Sequence, residues 1–171
     1  MFQPGDLIIY SQMGVCRVKA ITVPSFAVGR EAKEYYLLEP GNQTGEIYVP
    51  VDAKVFMRPV INKEEADRLI AMIPSMQAEA FHSTAMQELT RHYSEALASH
   101  ACEDLIELIM SIYAKKQYRQ KMNQKFGVVD ESYMKRAEQL LYGEFAIALG
   151  IPEAQVPGYI SRRVKKLETQ K

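Results

Sequence analysis

The chain changes character near residues 58–62, and that change limits its fold more than any single motif does. Over residues 5–57, short apolar runs rich in Val, Ile and Tyr alternate with Gly, Pro and Asn. The runs cover 7–10, 15–23, 35–38, 46–49 and 54–57. The breaks are Gly14, Pro24, Gly29, Pro40-Gly41-Asn42, Gly45 and Pro50. Short, regularly spaced strands with glycine turns predict a small five-stranded barrel or curled sheet, with 39–45 as a hairpin connection. After Pro59 the apolar residues recur at helical spacing.

Asn62 with Glu65 three residues on has the form of a capping box, and Ala66, Leu69, Ile70 and Ile73 follow on one helical face up to Pro74. A second helix is expected after Ser83 or Thr84, ending near Ser99. A third runs over 102–122 with Leu105, Leu108, Ile109, Ile112 and Tyr113 on one face. Asp130 is placed to cap a fourth, whose stripe is Met134, Ala137, Leu140, Leu141, Phe145 and Leu149. Gly150 and Pro152 stop it, glycine at the C-cap and proline just beyond. The expected class is α+β: a β domain over 1–59, then a helical domain over 60–171 that ends in a basic tail at 162–166.

With 171 residues the chain suits one ordinary domain or two small ones. The first residues carry neither a basic nor an apolar leader pattern, and no stretch approaches the roughly 18 consecutive apolar residues of a membrane span. Cys16 and Cys102 are too few for a disulfide framework. A soluble, cytoplasmic protein without a membrane partner is expected.

Lys and Arg total 21, as do Asp and Glu, so the net charge is zero. A nucleic-acid binder usually carries a basic excess, but here the balance hides a polarity. Residues 60–110 hold nine acids against Lys63, Arg68 and Arg91. Residues 113–126 hold Lys115, Lys116, Arg119, Lys121 and Lys125 with no acid, and Lys135 and Arg136 follow. With Tyr113 and Tyr118 interleaved, this stretch is a candidate phosphate-contacting face. It also reads as a solvated helix end whose cations complement the helix dipole.

No pattern argues for an enzyme, a metal, a cofactor or a small-molecule ligand. His100 and Cys102 lie close together, but zinc requires two well-spaced pairs. Cys102 near a helix start has no adjacent base with an orienting partner. The glycines have turn spacing, not that of a phosphate loop.

The segment 4–21, with Gly5-Asp6, Tyr10 and Gly14-Val15, resembles the CarD/CdnL family of bacterial transcription regulators. Segments 33–38 and 47–50 resemble its later strands, while 93–96 and 137–146 resemble its helical domain. The resemblance implies a Tudor-like or SH3-like first domain, similar to the polymerase-interacting domain of the transcription-repair coupling factor. That domain would bind the β subunit of RNA polymerase by strand addition, through Glu46, Ile47, Tyr48, Val49 and Pro50 together with Arg30. Exposed strand edges offer the unpaired N–H and C=O groups that this mode uses.

The helical domain would then lie on promoter DNA, through backbone and minor groove with little sequence choice, and act on open-complex stability. Many members carry a Trp wedge near the start of the second helix, and this chain has no Trp. Met86 and Leu89 occupy that window, with Leu89 at the Trp position; either is an apolar wedge candidate or a core residue. Arg91, Lys115, Lys116, Arg119, Lys121, Lys125, Lys135 and Arg136 complete the DNA-binding set. Tyr48 stands where several members carry Arg. The alternative reading is a polymerase-binding adapter that makes no contact with DNA. The 22–32 loop, with Pro24 and Phe26, is open as a further contact or a dimer element.

Overall fold

Alternation in the first sixty residues becomes an antiparallel sheet in the computed structural model, which describes residues 1–29 and 32–170. The strands are β1 (Leu7–Tyr10), β2 (Gly14–Thr22), β3 (Tyr35–Pro40), β4 (Ile47–Pro50) and β5 (Met57–Pro59), in the order β4-β3-β2-β1-β5. Among the described residues no ladder joins β4 to β5, so the sheet keeps two edges. Alternate residues on one face, Ile8, Cys16, Val18, Tyr36, Leu38 and Val49, form a buried core. Phe2, Met13, Ile47 and Met57 pack around it. Burial pushes the Cys16 thiol up to about 11, so it is an inert core residue.

Gly14 enters β2 at φ 79, straight after the 3-10 turn Ser11–Met13, a conformation that side-chain-bearing residues rarely adopt. The last strand lies further along than the 54–57 run implied. The Phe56 carbonyl accepts the Ser11 N–H at 2.9 Å, which makes 56 a corner, and Pro59 is tolerated because β5 is an edge.

The chain divides into two units, Met1–Ile61 and Asn62–Lys171. The second unit consists of α1 (Lys63–Met72), α2 (Met86–Ala98), α3 (Cys102–Lys121), α4 (Val128–Leu149) and α5 (Val156–Thr169). Asn62 caps α1 by accepting the Glu65 N–H at 2.8 Å. The Glu65 carboxylate does not return to the cap; it binds Arg68 at 2.6 and 2.8 Å. The apolar faces of α3 (Leu105, Ile106, Leu108, Ile112) and α4 (Ala137, Leu141, Phe145) are buried.

Residues 162–166 are not a tail. They belong to α5, which is anchored by buried Val156 and by the Tyr159 hydroxyl donating to Asp67 at 2.7 Å. Gly150 ends α4 in the left-handed region at φ 67, with nothing within 4 Å of a Cβ placed there. Gly150→Ala therefore meets only backbone strain. A loss of about 1–2 kcal/mol in helical-unit stability is expected, measurable by urea unfolding.

Candidate functional site

Among the described residues, strand β4 pairs with β3 on one side only. Its register is Tyr35 with Pro50, Tyr36 with Val49, Leu37 with Tyr48 and Leu38 with Ile47, and the Val51 N–H donates to the Glu34 carbonyl at 3.1 Å. In an antiparallel ladder the bonded pairs alternate. Val49 and Ile47 therefore bond to β3, while Tyr48 turns its N–H and C=O toward the open side. Pro50 shares this orientation, and its missing N–H leaves no ladder bond unmade. Perpendicular to the sheet, Val49 points into the core and Tyr48 is exposed on the opposite face. Just before the strand, Glu46 accepts from the Lys19 ammonium at 2.6 Å; that bond and the carboxylate charge raise the Lys19 pKa. Arg30 lies outside the described residues.

In the second unit the cations separate into two groups. Lys115 is fully buried, its Nζ 2.9 Å from Asp130 Oδ1, and the same oxygen accepts the Tyr93 hydroxyl at 2.6 Å. Burial, then the bond to Asp130, raises the Tyr93 phenol pKa. Asp130 is not the cap of α4. That helix starts at Val128 behind Gly127, and the Asp130 carboxylate turns inward.

Lys121 and Lys125 are exposed, and Lys116 stands 5.4 Å from the centroid of the Phe126 ring. Arg119 donates to the Lys125 carbonyl at 3.0 Å, with its Nε buried and unbonded. Arg91 is exposed on α2, and exposed Lys135 lies 3.4 Å from Glu131, one turn earlier. Arg136 is half-buried. Met86, the first residue of α2, is 64% exposed, whereas Leu89 is 7% exposed and belongs to the core. Met86 and Arg119 line one groove of about 270 Å³ with Thr84 and Val128. Tyr118, Met122 and Val128 add further exposed apolar surface to this part of α3 and α4.

Residues 2–61 match the model of the CarD-like/TRCF RID domain, a match coextensive with the sheet unit. No curated protein matches the chain. The RID match supports an RNA polymerase-interacting role for this unit. Among the described residues no helix is long and apolar enough to cross a membrane. No cluster of His, Cys, Asp or Glu among them is suited to a metal ion. Cys102 is buried, with its thiol on Glu144 at 3.1 Å.

Two candidates in the DNA set need correction. Lys115 cannot meet a phosphate, because its ammonium is enclosed and paired. Leu89 is not free to wedge, because it packs with Tyr93 and Leu97 on the buried stripe of α2. Sequence reasoning also left Phe26 unassigned. Its ring lies 5.4 Å from the rings of both Tyr35 on β3 and Tyr48 on the edge strand β4. The available signal was an aromatic residue in a loop longer than its neighbours.

Proposed function

We propose that the chain is a cytoplasmic bacterial transcription regulator that works by binding rather than catalysis. Its RID unit adds β4 to a strand of the RNA polymerase β subunit. Its helical unit contacts promoter DNA through backbone and minor groove, and so alters open-complex stability. The observation that carries the reading is the β4 edge: Tyr48 offers an outward N–H and C=O within a domain whose family interacts with polymerase. At the opposite edge, β5 is shorter and ends in Pro59, so it offers less backbone to a partner.

On the DNA side, support comes from exposed Lys121 and Lys125 combined with exposed Met86. Unspecific groove binders join phosphate-seeking cations to an apolar wedge. The adapter reading draws on burial of Lys115 and Leu89, which shrinks the set available to DNA.

The polymerase contact is tested by comparing Tyr48→Pro with Tyr48→Ala in the full chain, measuring affinity for purified RNA polymerase. Proline removes an N–H that β3 does not use, so the sheet keeps its own bonds. The expected result is that Tyr48→Pro binds at least about tenfold more weakly than Tyr48→Ala, the backbone bond and the proline ring both acting against pairing. Equal affinities for wild type and Tyr48→Pro would refute strand addition at β4.

A further inference from the structure

We infer that Phe26, held over Tyr35 and Tyr48, is a specificity shelf that receives an aliphatic side chain from the polymerase strand added to β4. This rests on the polymerase reading above and goes beyond it by naming what the partner presents.

The turn Ser25–Ala27 holds that ring up. Pro24 is buried, the Ala27 N–H closes a 3-10 turn on the Pro24 carbonyl at 2.9 Å, and the turn Ser25–Ala27 buries none of its own residues. Phe26 remains 66% exposed, with both tyrosines edge-on to it at interplanar angles of 80° and 88°. A ring serving only the fold would point into the core, and this one stands on the opposite face. Tyr35 and Tyr48 are on that face because their neighbours Tyr36 and Val49 fill the core.

A strand hydrogen-bonded to β4 continues the pleat. The residue opposite Tyr48 would have its Cβ about 5 Å from that of Tyr48 and on the same face. Its side chain therefore comes down beside the Tyr48 ring, with the Phe26 ring 5.4 Å beyond that centroid. Aromatic rings offer area without charge, and the charges that flank β3 and β4 in sequence are already paired, Lys19 with Glu46 at 2.6 Å and Lys33 with Asp52 at 3.7 Å. An aliphatic side chain gains most in that setting, while a charged one would lose its water without finding a partner. In strand addition the backbone bonds supply affinity, and pockets for alternate side chains supply specificity. Aromatic residues held rigidly at such positions commonly dominate the binding energy.

The test measures the affinity of the full chain for purified RNA polymerase with Phe26→Ala, Phe26→Leu and Tyr48→Phe, alongside Tyr48→Pro. Phe26→Ala is expected to weaken binding about tenfold, with Phe26→Leu and Tyr48→Phe within about threefold of wild type. Thermal unfolding should be unchanged in Phe26→Ala, because the ring is exposed. Should that variant unfold, the ordering of Phe26→Leu and Tyr48→Phe against a polar Phe26→Ser carries the decision. Wild-type affinity in Phe26→Ala or Phe26→Ser while Tyr48→Pro loses binding overturns the shelf and leaves the edge reading intact. Failure of the wild-type chain to bind polymerase overturns both. Self-association in sedimentation that Phe26→Ala abolishes, with polymerase affinity unaltered, assigns the shelf to a second copy and also overturns the proposal.

Discussion

Lys115→Met destabilises the helical unit by about 3–5 kcal/mol while leaving the charge of its surface as it was. The substitution keeps the length and apolar stem of the side chain but deletes the ammonium 2.9 Å from Asp130 Oδ1. The carboxylate, 1% exposed, is left with the Tyr93 hydroxyl at 2.6 Å. A lone buried charge is penalised far more heavily than its absence, so restoring neutrality should restore stability. Adding Asp130→Asn to Lys115→Met keeps an acceptor for Tyr93 and is expected to recover more than half of the loss. Such non-additivity marks residues of one network. Every α-helix among the described residues lies in the second unit, so ellipticity at 222 nm during urea unfolding reads that unit. If Lys115 were instead a surface cation, the single variant would unfold like wild type and the second substitution would add nothing.

That pair also shows where the sequence could be read and where it could not. A run of five cations without an acid looks like surface, because composition carries no direction. Yet Lys115 lies seven residues after Leu108 and three after Ile112, on the buried stripe of α3. Asp130 lies seven before Ala137 and eleven before Leu141, on the stripe of α4. Two opposite charges continuing two apolar stripes is a legible sign of a buried pair, and helical period should have outweighed residue type. Asn62 and Gly150 were readable because caps are local: one side chain or one backbone angle decides them. The order of the strands was not, since nothing local to residues 46–50 says that β3 lies on one side and nothing on the other. The edge, the feature on which the proposed function rests, is a property of the assembled sheet. For the same reason the run at 22–32 showed an aromatic in a loop but not the tyrosines it would meet.

Replacing Lys116, Lys121 and Lys125 together by Ala is expected to leave folding intact and to weaken DNA binding steeply. Lys121 and Lys125 are exposed, and Lys116 makes only a ring contact at 5.4 Å, so none holds the core. Each phosphate contact contributes about 0.9 to the slope of log affinity against log salt, so three lost contacts flatten that slope by about 2.7. Near physiological salt, the corresponding loss is about ten- to a hundredfold. Arg119 is left out because it donates to the Lys125 carbonyl at 3.0 Å, and its own carbonyl accepts the Gln124 N–H at 2.7 Å. Removing it would loosen the turn that carries Lys125.

Lys135→Ala serves as the control, since Glu131 at 3.4 Å already shares that charge. Met86→Ala is expected to behave differently from all of these. An apolar wedge releases no counterion, so affinity for upstream-fork promoter DNA should fall severalfold with the salt slope unchanged. Anisotropy titrations between about 50 and 200 mM salt distinguish the two effects. A chain that uses its helical unit only as an adapter would show neither change, with the triple variant and Met86→Ala both binding DNA as weakly as wild type.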